Sequence, residues 1–105
     1  MTEQQYMDFL PTLDHERDIR LHAIGLCEEA GEVAGKIKRI FRDDHGEITK
    51  ERRAQILLEC GDVLWYLTRI VDALGSTMKD VRAQNLKKLK DRAARNILTG
   101  SGDTR

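Results

Sequence analysis

Two acidic blocks with helical spacing constrain the fold of this chain more than any other feature. Glu29 and Glu32 belong to the first block, and Glu59 and Asp62 belong to the second. At about 100° per residue, the two members of each pair lie about 60° apart on one helix face. If the two helices pack antiparallel, the four carboxylates converge on one place. Carboxylates that close raise each other's pKa, so the arrangement is costly without a cation.

The ligands that these blocks offer are hard oxygen atoms, without nitrogen or sulfur. Such a set suits Mg²⁺ or Mn²⁺. One acidic pair is common on any charged helix, where it forms only a solvated face. Two pairs in so short a chain favour a metal site, and we expect Mg²⁺ as the cofactor, with Mn²⁺ able to substitute.

Helical patterns cover most of the chain, and no segment alternates like a strand. Pro11 is expected to close the first helix, and Asp43–Gly46 is the clearest turn signal. Thr49 and Thr77 are suitable N-caps, and Gly75 fits a C-terminal cap. We therefore predict an all-α fold, a helical bundle of four main helices. Their approximate ranges are residues 3–10, 16–41, 50–74 and 78–97.

Composition limits the size of the core and the classes of partner. A chain of 105 residues is one domain, here residues 1–99 with a flexible tail at 100–105. A domain this small buries only roughly 60–65% of its unfolded surface, so a homo-oligomer is expected. Lys and Arg total 18 and Asp and Glu total 18, which gives no case for a nucleic-acid partner. No long apolar run and no signal peptide is present, so we expect a cytoplasmic protein without a membrane partner.

The residues around the acidic pairs resemble a known family. Residues 25–38 and 58–67 contain the pattern E-E-x-x-E, a spacer and then E-x-x-D, and residues 85–92 read N-x-x-K-L-x-x-R. Over about residues 20–105 the chain resembles the MazG-like nucleoside triphosphate pyrophosphohydrolases. The resemblance implies a MazG-like all-α fold that forms a homodimer or homotetramer. It also implies Mg²⁺-dependent cleavage of NTP or dNTP to the monophosphate and pyrophosphate, as in nucleotide-pool housecleaning.

The resemblance also assigns roles to the acidic residues. By matching position, the metal ligands are Glu29, Glu32, Glu59 and Asp62. Glu28 lies about 100° around the helix from Glu29, so it cannot share the same coordination direction. The family pattern suggests instead that Glu28 orients or deprotonates the attacking water. The alternative for Glu28 is an ordinary surface glutamate.

Residues for substrate binding follow from the same helical geometry. Lys36 lies within roughly 40° of the first acidic pair, so it can reach metal-bound phosphates or simply pair with Glu32. Tyr66 follows Asp62 by one turn and could stack on a base or bind the sugar. A donor-rich edge of the fourth helix, suited to a triphosphate and a sugar, comprises Asn85, Lys88 and Arg92. Any member of this edge could instead be merely solvated.

Two other functions remain open at this point. A phosphoribosyl-ATP pyrophosphohydrolase would use the same metal chemistry on a different substrate, and a hydrolysis profile over nucleotides would separate the two. A non-catalytic helical interaction module could carry the acidic motif as a vestige. All five acidic motif positions are filled, however, whereas a degenerate domain would be expected to lose some.

Overall fold

The fold is all-α, as the sequence predicts. A computed structural model describes residues 1–13 and 18–96, and within those ranges it contains four helices and no strand. The helices are α1 (Glu3–Leu13), α2 (Ile19–Asp43), α3 (Lys50–Ala73) and α4 (Met78–Ala94). The predicted start of the second helix near residue 16, the predicted end of the fourth near residue 97 and the tail at 100–105 lie outside the described residues.

The predicted caps define the helix ends. The Thr49 hydroxyl accepts a hydrogen bond from the Arg52 backbone N–H at 3.1 Å, and the Thr77 hydroxyl accepts one from Asp80 at 3.2 Å. Each bond satisfies one of the backbone donors that a helix leaves unpaired at its start. Gly75 has φ +74°, the left-handed conformation that ends helices at low cost for glycine. These caps confirm the predicted boundaries of α3 and the predicted start of α4.

The prediction that Pro11 closes the first helix at Leu10 is wrong, because α1 continues to Leu13. A proline removes one backbone hydrogen bond, and its cost is greatest in the middle of a long helix. Pro11 lies in the last turn of α1, and the helix ends two residues after it. Leu10 is 4% exposed, and its burial holds this end of α1 against the rest of the fold.

Helices α2 and α3 form an antiparallel hairpin that is the centre of the fold. Three contacts mark its register: Arg52 with Asp44 at 2.9 Å, Lys36 with Glu59 at 3.7 Å, and the Tyr66 ring against Gly25. Residue numbers fall along α2 as they rise along α3, so the two helices run in opposite directions. The hairpin therefore brings the acidic blocks of α2 and α3 to the same level.

The other two helices pack at the C-terminal half of α3. Arg82 of α4 donates two hydrogen bonds to the Glu3 carboxylate of α1, at 2.5 and 2.7 Å. This bidentate pair lowers the pKa of Glu3. Among the described residues, the buried apolar side chains are Leu10, Ile40, Val71 and Met78. In the part of the chain that the structure covers, no helix is both long and apolar enough to cross a membrane.

Candidate metal centre

Three carboxylates meet where α2 and α3 face each other. Glu29 comes from α2, and Glu59 and Asp62 come from successive turns of α3. One carboxylate oxygen from each of the three lies within 4.8 Å of the others. Glu29 and Glu59 are half-buried, whereas Asp62 is exposed. The helical spacing of each block and the antiparallel register together produce this acidic cluster.

The cluster is electrostatically strained without a cation. Partial desolvation raises the pKa of Glu29, and the negative charges of Asp62 and Glu59 raise it further. A hydrogen bond shared with Glu59 and the charge of Glu32 act in the same direction. Glu29 therefore holds its proton more tightly than an isolated glutamate does. A bound cation would remove this cost by neutralising the repulsion.

The chemistry and size of the cluster fit a hard divalent cation. All three ligand atoms are carboxylate oxygens, the type that Mg²⁺ and Mn²⁺ prefer. Oxygens on opposite sides of a Mg²⁺ ion are about 4.2 Å apart, since each Mg–O bond is about 2.1 Å. A spread of 4.8 Å is therefore close to what one ion needs. The open, exposed side at Asp62 leaves room for water or a phosphate oxygen.

The other two acidic motif residues lie outside this compact group. Glu32 contributes to the field that raises the pKa of Glu29, but it is exposed and is not one of the three residues that converge. Glu28 is also exposed on α2. The structure of one chain thus brings together three of the four predicted ligands.

Lys36 faces α3 rather than its own helix. Its ammonium nitrogen lies 3.7 Å from Oε1 of Glu59, and both side chains are about one-fifth exposed. The sequence analysis considered a pair with Glu32 and did not foresee this partner, because the register between α2 and α3 was unknown. The contact places the Lys36 ammonium group directly beside the acidic cluster.

Tyr66 packs between α2 and α3, one helical turn beyond Asp62. Its ring lies against Gly25, where a Cβ atom would overlap it, and its centroid is 6.4 Å from that of His22. His22 is buried, at 4% exposure, and the two rings are tilted by 51°. The sequence analysis gave Tyr66 a substrate-binding role. The structure adds that Gly25 and His22 fix its position.

The predicted donor edge of α4 is not uniformly exposed. Asn85 and Lys88 are exposed, whereas Arg92 is 7% exposed. Sequence reasoning gave no role to Arg69, which is 3% exposed and follows Tyr66 by one turn of α3. Its guanidinium lies 3.5 Å from the Asp72 carboxylate. In a chain so rich in charged residues, no sequence signal separates a buried arginine of this kind from a solvated one.

The chain matches one family of known proteins. Residues 20–96 match the family of the MazG nucleotide pyrophosphohydrolase domain, a range that includes the acidic cluster and leaves α1 outside. The chain is also similar to Gene 37 protein of Mycobacterium phage L5, with 44% identity over 82 residues. That alignment covers 78% of this chain and 72% of the phage protein. No solved structure matches the chain.

Proposed function

The chain belongs to the MazG nucleotide pyrophosphohydrolase family, and we propose that it hydrolyses NTP or dNTP to the monophosphate and pyrophosphate with Mg²⁺. The observation that carries the proposal is the convergence of Glu29, Glu59 and Asp62 between α2 and α3. A non-catalytic module would have no reason to keep three carboxylates in an arrangement that raises the pKa of Glu29. A role in clearing the nucleotide pool is consistent with this activity.

The proposed chemistry divides among the residues of α2 and α3. The cluster, together with Glu32, would hold Mg²⁺. The ion would supply neutralisation of the phosphate oxygens and stabilisation of the pyrophosphate leaving group. Glu28, on the neighbouring side of α2, orients the attacking water and accepts its proton. Lys36 lies beside Glu59 and is within reach of phosphate oxygens at the cluster.

Binding of the rest of the nucleotide is assigned to two further groups. Tyr66 follows Asp62 by one turn of α3 and offers a ring face for a base or a hydroxyl for a sugar. The donor edge of α4 would bind the triphosphate and the sugar. Its members are Asn85, Lys88 and Arg92. Arg92 is buried in the single chain, so its side chain would have to move to contact a nucleotide.

The identity of the phosphorus atom that water attacks tests this proposal directly. Water directed to the α-phosphorus puts its oxygen into the nucleoside monophosphate, because the pyrophosphate then leaves with its original oxygens. Hydrolysis of dNTPs in ¹⁸O-labelled water with Mg²⁺ should therefore give labelled monophosphate and unlabelled pyrophosphate, measured by mass spectrometry. The same reaction in excess EDTA should give neither product, since the carboxylates alone do not neutralise phosphate.

Two results would contradict the proposal. Label in the pyrophosphate would mean that water attacks the β-phosphorus. Undiminished hydrolysis in EDTA would mean that the acidic cluster does not act through a divalent cation. A panel of standard and modified nucleotides, together with phosphoribosyl-ATP, measured in the same assay identifies the preferred substrate.

We further propose that the protein is a homodimer or homotetramer. Its radius of gyration is 16.8 Å, whereas a compact chain of this length has about 13 Å. Several large apolar side chains of α2 and α3 are exposed, among them Phe41 at 67% and Leu58 at 73%. Large apolar side chains left exposed in this number are typical of subunit interfaces. A second copy would cover it.

Light scattering coupled to size exclusion tests the assembly. At micromolar concentration we expect the mass of two or four chains, and Leu58→Asp should lower that mass because it places a charge on the apolar surface. Arg53→Asp, also on the exposed surface of α3, is the matched control and should leave the mass unchanged. A monomeric mass for the unmodified protein would rule out the oligomer.

A further inference from the structure

Lys36 holds a positive charge beside the proposed cation site. Its ammonium nitrogen lies 3.7 Å from Oε1 of Glu59, and Glu59 is also one of the three carboxylates of the acidic cluster. Both side chains are only about one-fifth exposed, so water screens their charges less than it does at the open surface. In the metal-free protein the ammonium therefore neutralises part of the charge that a divalent cation would otherwise neutralise.

The fold directs this charge to the cluster. On α2, Lys36 follows Glu29 by seven residues, which is about two helical turns, so both side chains leave the same face of the helix. The contact with Glu59 shows that this face is turned toward α3. Lys38 is exposed and lies about 160° around α2 from Lys36. The two lysines are thus close in sequence, but only Lys36 faces the carboxylates.

A lysine and a divalent cation at one carboxylate oppose each other. An ion about 2.1 Å from the same Glu59 oxygen would lie no more than about 6 Å from the Lys36 ammonium. At that distance, repulsion between a double and a single positive charge weakens binding of the ion about tenfold, even in a medium as polar as water. A phosphate group that accepts hydrogen bonds from the ammonium would remove this opposition, because its negative charge compensates both cations.

We propose that Lys36 exchanges partners when substrate binds, from Glu59 in the metal-free protein to a phosphate group in the complex, and thereby couples the binding of metal and nucleotide. This coupling presupposes the proposed hydrolysis and concerns the regulation of the same site. Without nucleotide, Lys36 keeps the affinity of the cluster for a free cation low. With nucleotide, the Glu59 carboxylate is released to the cation. By thermodynamic linkage, metal and nucleotide then strengthen each other's binding by the same factor.

Lys36→Met tests the coupling, because it keeps an unbranched side chain of similar length and removes the charge. Mn²⁺ is titrated into the metal-free protein at neutral pH and low ionic strength, and the free ion is measured by electron paramagnetic resonance. The Kd for Mn²⁺ should fall about tenfold. In steady-state hydrolysis at saturating Mg²⁺, the KM for dNTP should rise about tenfold or more, the effect of losing a hydrogen bond to a charged group. Metal binding and nucleotide binding thus change in opposite directions.

Lys36→Arg and Lys38→Met are the matched controls. The arginine variant keeps a positive charge beside Glu59 and should keep the Kd for Mn²⁺ within about twofold. Lys38→Met removes a charge from the same helix on its exposed side and should leave both Kd and KM within about twofold. Lys36→Gln gives the same comparison as Lys36→Met if the methionine variant does not fold.

Each contrary result has its own meaning. An unchanged Kd for Mn²⁺ in Lys36→Met would overturn the coupling, while the unmodified protein could still bind the ion and hydrolyse dNTP as proposed. Tighter binding of Mn²⁺ with an unchanged KM would overturn the exchange of partners, since Lys36 would then not contact phosphate. Failure of the unmodified protein to bind Mn²⁺ or to hydrolyse dNTP would overturn the coupling together with the proposed function.

Discussion

Asp62→Asn is expected to reduce the rate of nucleotide hydrolysis by about 100-fold or more at saturating Mg²⁺. The substitution keeps the size of the side chain but removes one of the three charges that converge on the proposed ion. Metal-ion stabilisation of a phosphoryl transition state is worth several kcal/mol, and each 1.36 kcal/mol is a factor of ten in rate. Steady-state release of pyrophosphate measures the effect.

Glu51→Gln is the matched control for this loss. Glu51 is an exposed carboxylate in the first turn of the same helix, outside the acidic cluster, so its neutralisation should leave the rate within about twofold. Circular dichroism should show equal helix content in both variants. Near-normal turnover in Asp62→Asn, with helix content unchanged, would exclude the cluster as the catalytic centre.

Asp62→Asn should lower the rate of hydrolysis but raise the stability of the metal-free protein. The folded state raises the pKa of Glu29 above its ordinary value of 4.5, so the folded protein binds that proton more tightly than the unfolded chain. Stability without metal therefore falls as the pH rises from about 4.5 through the raised pKa. Asp62→Asn removes one source of this repulsion and should raise Tm at pH 7 in EDTA. Adding Mg²⁺ should raise the Tm of the unmodified protein by a similar amount.

The sequence predicted those parts of the fold that depend on local chemistry. Thr49 and Thr77 are N-caps because a threonine hydroxyl can accept from a backbone N–H three residues later, whatever the rest of the chain does. The arrangement within each acidic block was also predictable, because helical spacing alone places its two carboxylates on one face. Pro11 failed as a stop signal because burial of Leu10 offsets the loss of one backbone bond.

What depends on the register between helices was not predictable. The pairing of Lys36 with Glu59 requires α2 and α3 to face each other at one particular level, and the sequence does not specify that level. Glu32 lies outside the acidic cluster for the same reason. Its position on the helix face allows it to approach the other carboxylates but does not require it to do so.

The close contact of Gly25 with Tyr66 leads to the second large expected effect. A Cβ atom at Gly25 would lie only 2.6 Å from Cδ1 of the Tyr66 ring and closer still to two other ring atoms. Gly25→Ala must therefore displace the ring. Overpacking of this kind costs about 1–3 kcal/mol, which offsets or exceeds the gain of about 1 kcal/mol that alanine brings to a helix interior. We expect a net loss of up to about 2 kcal/mol in the free energy of unfolding, measured by urea denaturation.

Gly31→Ala is the control, because the same substitution in the same helix meets no atom within 4 Å. With only the helix propensity changed, this variant should be more stable by about 0.5–1 kcal/mol. In a protein that already carries Tyr66→Ala, adding Gly25→Ala should cause little further loss of stability. The new Cβ atom then has no ring to clash with. Equal stabilisation by Gly25→Ala and Gly31→Ala would mean that the ring moves aside freely. Tyr66 would then be held too loosely by α2 to orient a base or a sugar beside the acidic cluster.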